Sequence, residues 1–212
     1  MKGRGVSFME NVGKWHHGVP SAEELQQAMA DLDAALAERT VEMIKSEGGT
    51  AIAHGFDATR EKDCKGLIDA AVDHWGRLDF LDNNIGIGSR GSVVDEKPEE
   101  YRRVMQVNVE TMFLLSKHAI PAMIKTAKGG SIVNISSVLG LRGAAYAMAY
   151  CASKGAVRTL TKNVALHCAF MKYNIRCNSV HPGYIDTPMI GPALAANVGN
   201  MSGKQWLEEL HP

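Results

Sequence analysis

From residue 50 to residue 181, short apolar runs alternate with longer amphipathic stretches, and this alternation constrains the fold of the 212-residue chain more than any other feature. Thr50–Phe56 (TAIAHGF) reads as a strand, and Glu61–Trp75 follows with Leu67, Ile68, Ala71 and Val72 at helical spacing. Leu78–Asn84 (LDFLDNN) reads as a strand running into a turn at Gly86 and Gly88. Pro98–Lys128 predicts a long helical stretch interrupted near Pro121, because a proline ring collides with the carbonyl four residues before it. Ser131–Val138 (SIVNISSV) has the apolar, β-branched composition of a buried parallel strand. Ala149–Ala169 is helical again, with Ala152, Ala156, Leu160 and Val164 at four-residue steps, and Ile175–His181 is a strand ended by Pro182-Gly183.

Such alternation predicts a parallel sheet with helices on both faces, since parallel neighbours must be joined by crossovers. No repeat, low-complexity tract or linker divides the chain, so residues 1–212 read as one α/β domain, a doubly wound parallel sheet. Ligands of such sheets bind beyond the carboxyl ends of the strands. The polar residues closing these strands are Asp57, Asn83 and Asn84, Ser136 and Ser137, and the Pro182-Gly183 turn, which would gather along one edge.

Residues 1–49 are atypical. Ser21-Ala-Glu-Glu24 matches a capping box, and Leu25, Met29, Leu32, Leu36, Met43 and Ile44 keep near-helical spacing after it. Ser21–Ser46 therefore predicts one long helix, ended by Gly48-Gly49. Asp82 is out of character for an apolar strand and needs a buried partner or an edge position.

Composition narrows the functional classes. The 23 basic and 23 acidic side chains leave no basic surplus for holding phosphates, which argues against nucleic-acid partners. No apolar run reaches the roughly 18–20 residues of a membrane span. The first twenty residues lack the apolar segment of a secretory signal, so a cytoplasmic protein is expected. Cys64, Cys151, Cys168 and Cys177 form no CxxC pair and read as free thiols in a reducing compartment. His16 and His17 have no further ligand at suitable spacing, so no metal is expected.

The sharpest chemical signal is Tyr150-Cys-Ala-Ser-Lys154, at the start of a predicted helix. A spacing of four puts phenol and ammonium on one helix face, and a nearby cation favours the phenolate. Tyr150 could then act as general acid and base on a carbonyl–alcohol pair. Taken alone, the pair reads as an ordinary surface Tyr and Lys. A serine at the preceding strand end could hold a carbonyl oxygen. Asn108, inside an apolar helical stripe, is either a local backbone partner or the anchor of a proton-relaying water.

Together these residues make the chain resemble a short-chain dehydrogenase/reductase of the single-domain, NAD(P)-dependent type. Over residues 50–190 the resemblance rests on Asp57, Asn83-Asn84-Ile85-Gly86 for the family's NNAG, Asn108, Ser137 thirteen residues before Tyr150-x-x-x-Lys154, and Pro182-Gly183-Tyr-Ile185-Asp-Thr187. The chain is similar to secondary-alcohol and hydroxysteroid dehydrogenases. The resemblance implies Tyr150 as acid/base and Lys154 as the group that lowers its pKa and holds the nicotinamide ribose. It implies Ser137 on the substrate oxygen and Asn108 on a relay water. Ser136, fourteen residues before Tyr150, fits less well. For an NAD cofactor, with NADP an alternative, it implies Asp57 and Ala58 at the adenine, and Asn83, Ile85 and Gly86 at the adenosine ribose. Pro182, Gly183, Ile185 and Thr187 would lie at the nicotinamide end.

The family's opening strand and TGxxxGxG turn have no counterpart here, because Gly3, Gly5, Gly13 and Gly18 have the wrong spacing. Its last helix and strand also lack counterparts, so a Rossmann-like sheet incomplete at both ends is expected. Ala30-Asp31-Leu-Asp33 resembles the end of the family's second strand, which would make Asp31 the ribose ligand; the helical pattern instead puts Asp31 on a solvated helix face.

Val138, Leu139, Tyr146, Tyr184 and Met189 border the implied substrate position and favour an apolar or cyclic alcohol or ketone. Glu99–Lys125 and Ala149–Ala169 resemble the family's association helices, implying a homodimer or homotetramer. The competing expectation is a catalytically impaired relative, serving as a scaffold or a weak dinucleotide-binding module.

Overall fold

The computed structural model describes residues 26–31, 33–183, 185, 197–198, 201–202 and 205. From residue 50 its elements alternate as the sequence predicts. They are β1 (Gln26–Asp31), α1 (Ala34–Ser46), β2 (Thr50–Gly55), α2 (Glu61–Trp75), β3 (Phe80–Asn83) and α3 (Pro98–Met105). A π-turn over Gln106–Glu110 leads into α4 (Thr111–Thr126), β4 (Gly130–Ile135), a 3-10 turn over Val138–Gly140, α5 (Met148–Phe170) and β5 (Ile175–Val180). Two two-residue strands, β6 (Asn197–Val198) and β7 (Met201–Ser202), pair antiparallel.

The long helix expected over Ser21–Ser46 is corrected. Gln26–Asp31 is a strand pairing in parallel with β2 along its whole length, from Gln26 opposite Thr50 to Asp31 opposite Gly55. Gln, Ala and Met are good helix formers, so local propensity favoured the helix and tertiary pairing overrode it. The helix starts at Ala34 instead of Ser21. Its cap is Asp33, whose carboxylate accepts the Ala35 amide at 3.1 Å. The supposed capping box at Ser21–Glu24 lies outside the described residues.

The interruption expected near Pro121 is also relocated. α4 runs through Pro121 without a break, and the departure from α-geometry is the π-turn at Asn108. Loss of one N–H at Pro121 does not end the helix, whereas the π-turn sets the hydrogen-bond ladder one residue out of step. Elsewhere boundaries agree within two residues, except that β4 stops at Ile135 and the expected strand end at Val138 is a 3-10 turn. α2 ends where expected, on Gly76 in the left-handed region at φ 75°, with its N–H on the Val72 carbonyl.

Helices cover both faces of the β1–β2 pair. Ala51 packs with Val41 and Ile44 of α1, while Ala28 and Ala30, on the opposite face, pack against the main core. That core joins Phe56, Cys64, Leu67 and Ile68 to Leu81, Leu114, Leu115, Met123, Ile132, Cys168, Ile175 and Cys177. One hydrophobic cluster thus ties β1–β2 and α2 to α4, α5 and the β3–β4–β5 sheet. Among the described residues, β1 pairs only with β2 and β3 only with β4. The expected doubly wound order is therefore interrupted between β1 and β3. Asp82 takes the edge option: its side chain is exposed, although surrounding protein still pushes the carboxyl up to about 6. Phe80 on the same face is 54% exposed.

At Gly140 the 3-10 turn presses on α5. A Cβ there would lie 2.7 Å from the Lys154 carbonyl oxygen and 2.7 Å from Ser136 Oγ. Gly140→Ala should lower the unfolding free energy by about 1–3 kcal/mol in urea denaturation. Gly143→Ala, where nothing lies within 4 Å, should stay within about 0.5 kcal/mol of the parent. Equal losses in the two variants would contradict the close approach.

Candidate active site

The parallel register brings the chemistry-bearing residues to the carboxyl ends of the strands. Asp31 ends β1, Asp57 and Ala58 follow β2, and Asn83 ends β3 with Ile85 and Gly86 just beyond. Ser137 follows β4 and Pro182 follows β5. Two backbone bonds turn the last two strand ends toward each other, Ser136 N to Val180 O at 2.8 Å and Val138 N to Pro182 O at 3.0 Å. Ile185 is described and 43% exposed, while Thr187, Tyr184, Met189 and the glycines before residue 20 lie outside the described residues.

Tyr150 and Lys154 lie one turn apart on α5, with the Lys154 Nζ 5.7 Å from the phenol ring centroid. Lys154 is 4% exposed and donates to the Ile135 carbonyl at 2.7 Å. Burial disfavours its charged form and depresses its pKa to about 8. The expected fall in the Tyr150 pKa is not found. Burial raises the phenol above its ordinary value, and the opposing influence is a hydrogen bond with Ser137. Desolvation outweighs stabilisation of the phenolate because both partners have left water together.

The two serines after β4 are differently engaged. Ser136 donates to the Lys154 carbonyl at 2.8 Å and is fully buried. Ser137 accepts the Leu139 amide at 3.1 Å, capping the 3-10 turn, and its hydroxyl also reaches Tyr150. His181, just past β5, supports this turn, its ring nitrogen 3.1 Å from the Ser137 carbonyl.

Asn108 is buried in the π-turn. Its carbonyl accepts the Ile87 amide at 2.8 Å, and its amide donates to the Ile87 carbonyl and to Ser153 Oγ, both at 2.9 Å. The loop after β3 is thereby fastened to the helices. A Cβ on Gly86 would come 3.3 Å from Lys154 Nζ and 3.6 Å from Asn108 Oδ1, so a glycine keeps this approach open.

The other strand ends carry structural bonds of their own. Asp31 is 5% exposed and accepts the Asp33 amide at 2.9 Å. Asp57 accepts both the amide and the hydroxyl of Thr59, which hold its carboxyl below the ordinary range. The Ala58 carbonyl accepts the Thr111 hydroxyl at 3.0 Å. The Asn83 side chain points beneath the sheet and donates to Asn134 at 2.7 Å, while Asn134 donates to Thr161 at 2.9 Å. The Asn83 Oδ1 is buried without a hydrogen-bond partner.

Sequence reasoning missed Ser89, Ser153 and the Asn134–Thr161 pair. Ser153 stood inside the Tyr150–Lys154 motif. Ser89 had a weaker signal, namely that Ala147 leaves the start of α5 without a side-chain cap.

Residues 21–197 match the family model described as short chain dehydrogenase. The chain belongs to the short-chain dehydrogenase family. It is 40% identical over 185 residues to a cyclopentanol dehydrogenase of Comamonas sp., covering 87% of this chain and 73% of that one. It is 40% identical over 184 residues to a trans-4-hydroxycyclohexanecarboxylate dehydrogenase of Sinomonas cyclohexanicum, covering 84% and 70%. A xylitol dehydrogenase solved with NAD+ bound superimposes with a TM-score of 0.81 at 31% identity, over 89% of this chain and 75% of that one. The Rossmann-like α/β architecture expected from the motifs is thus the family's own, and its members are oxidoreductases that use nicotinamide dinucleotides.

Because the Lys154 pKa is depressed from 10.5 to about 8, the unfolded chain binds more protons than the folded one between those values. The lysine therefore weakens the fold below about pH 8, and that penalty disappears as pH rises to about 10.5. The stability of Lys154→Met relative to the parent should fall by about 3 kcal/mol between pH 7 and pH 11 in urea titrations. A difference that stays constant with pH would contradict the buried ammonium.

Proposed function

We propose that this chain is an NAD(H)-dependent dehydrogenase interconverting a secondary alcohol and its ketone. The observation that carries the reading is the placement of Lys154 Nζ 5.7 Å from the Tyr150 ring beyond the β4 end, where Ser137 opposes the rise in the phenol's pKa. In the oxidative direction Tyr150 Oη takes the alcohol proton, and Ser137 Oγ holds the substrate oxygen. Both N–H bonds of the Asn108 carboxamide are already used. A relay water held by Asn108 would therefore rest on its main chain, where a π-turn disturbs the regular ladder.

The strand ends fit a nicotinamide dinucleotide. Asp31 and Asp57 offer carboxylates to ribose hydroxyls and adenine, together with Ala58. Asn83, Ile85 and the close-approach glycine Gly86 would border the adenosine ribose. Tyr150 and Lys154 would meet the nicotinamide ribose, and Pro182, Gly183, Ile185 and Thr187 its carboxamide end. When bound, the dinucleotide supplies the hydride acceptor or donor. A carboxylate at Asp31 repels a 2′-phosphate, which favours NAD over NADP. The names of the two cyclic-alcohol relatives, together with Leu139 and Tyr146 beside the serine turn, support an apolar or cyclic substrate.

The four cysteines are free thiols, as suits the cytoplasm, and among the described residues no helix is long and apolar enough to cross a membrane. Phe113 on α4 and Leu166 and Phe170 on α5 are 51%, 71% and 84% exposed. Such apolar faces support association into a homodimer or homotetramer. Leu166→Glu combined with Phe170→Glu should reduce the sedimentation coefficient to that of a monomer, and an unchanged oligomer would count against these faces.

Titration of the purified chain with NADH and NADPH, followed by nicotinamide fluorescence, tests the enzyme reading. NADH should bind more tightly, and Tyr150→Phe should abolish oxidation of cyclopentanol while retaining NADH binding. No binding of either dinucleotide at millimolar concentration would favour the competing reading, a scaffold that keeps the fold without the reaction.

A further inference from the structure

The first turn of α5 is not capped from within. Ala147 has no side chain able to accept the N–H groups that a helix start leaves open. The loop after β3 supplies the partners instead. Gly91 O accepts the Met148 amide at 3.0 Å, and Ser89 Oγ accepts the Tyr150 amide at 3.1 Å. Ser89 is 61 residues away from Tyr150 in sequence and is buried.

The other side of the Tyr150 peptide leads back to the same loop. Ser153 Oγ donates to the Tyr150 carbonyl at 2.8 Å and accepts from Asn108, whose carboxamide is bonded both ways to Ile87. The N–H and C=O of one residue are therefore both tied to the 87–91 loop, one directly and one through two buried side chains. A helix start needs a cap, but it does not need both peptide groups of one residue linked to the same distant loop.

We propose that Ser89 is a positioning residue for Tyr150, its hydroxyl fixing the first turn of α5 so that the phenol stays in contact with Ser137. The role rests on the reading of Tyr150 as the acid/base. Without the cap, the first turn of α5 gains freedom, the Ser137 contact loosens, and burial acts on the phenol with less opposition. The titratable groups beside the phenol are Lys154 and Cys151, both on α5, and neither changes in a Ser89 variant.

Tyr150 ionisation can be followed by carbon NMR of ring-labelled tyrosine, its signal assigned by loss in Tyr150→Phe. Ser89→Ala should move that ionisation to higher pH, and Ser89→Thr, which keeps the hydroxyl, should restore the parent titration. Val41→Ala, which destabilises the distant α1 packing, should leave it unmoved. In cyclopentanol oxidation Ser89→Ala should lower kcat about tenfold with the KM for NAD+ unchanged. If Ser89→Ala does not fold, Ser89→Cys, a weaker acceptor of similar size, should show a smaller shift in the same direction. Parent-like ionisation in the Ala or Cys variant would overturn the role of Ser89, as would a shift in Val41→Ala equal to theirs. Turnover surviving in Tyr150→Phe would instead overturn the acid/base reading, leaving the effect of Ser89 on the phenol to be judged by the NMR titration alone.

Discussion

A buried carboxamide is costly to leave unmet, since an amide unpaired away from water loses several kcal/mol by transfer estimates. At Asn108 that requirement is met by the Ile87 peptide, which gives its N–H and takes one back. The helical stretch from Pro98 to Thr126 adopts a π-turn at this residue, and the loop after β3 is held against it. Gly86 then lies beside Lys154, and Ser89 and Gly91 meet the start of α5. One polar residue in an otherwise apolar stripe thus sets the spacing between the third strand end and the helix carrying Tyr150 and Lys154.

Electrostatics at that helix are dominated by desolvation. Lys154 is held by a carbonyl, not a carboxylate, so nothing anionic offsets its loss of water, and its pKa falls. Tyr150 rises for the corresponding reason, since a buried phenolate is also poorly solvated. A nearby cation is therefore not sufficient to acidify a phenol. With its pKa near 8, Lys154 gives up its charge before the phenol ionises, and the hydrogen bond with Ser137 is what opposes the rise in the phenol's pKa.

Much of this was legible in the sequence because the signals were local. α2 is bounded by the residues its periodicity marks, and the Tyr150-x-x-x-Lys154 spacing translates directly into one helix face. The resemblance prefers Ser137 to Ser136 by its spacing to Tyr150, and the Ser136 hydroxyl is engaged with the Lys154 carbonyl. What was illegible depended on contacts remote in sequence. The break was assigned to Pro121, whose chemistry is visible in any sequence, whereas the π-turn at Asn108 answers to Ile87, 21 residues earlier. Ser89 has no local signature as the cap of a helix that starts 59 residues later.

The misread strand at Gln26–Asp31 has the widest consequence. As part of a helix, Asp31 would have faced solvent, unrelated to the other polar residues. As the last residue of a parallel strand it is 5% exposed and stands in the same row of strand ends as Asp57, Asn83 and Ser137. The helical reading failed because a strand of Gln, Ala and Met declares itself through its neighbour, in six consecutive pairings with β2, and not through its composition. The same reasoning bears on β3. This strand was legible in its residues except for Asp82, and it exposes Phe80 and Asp82 on one face while pairing on one side among the described residues. It persists because Leu81 and Asn83, on the other face, are fixed by Ile132 and Asn134 of β4 and by the helices packed beneath them. In both strands the partner decides the structure, and the strand end it fixes is where the chemistry of the site begins.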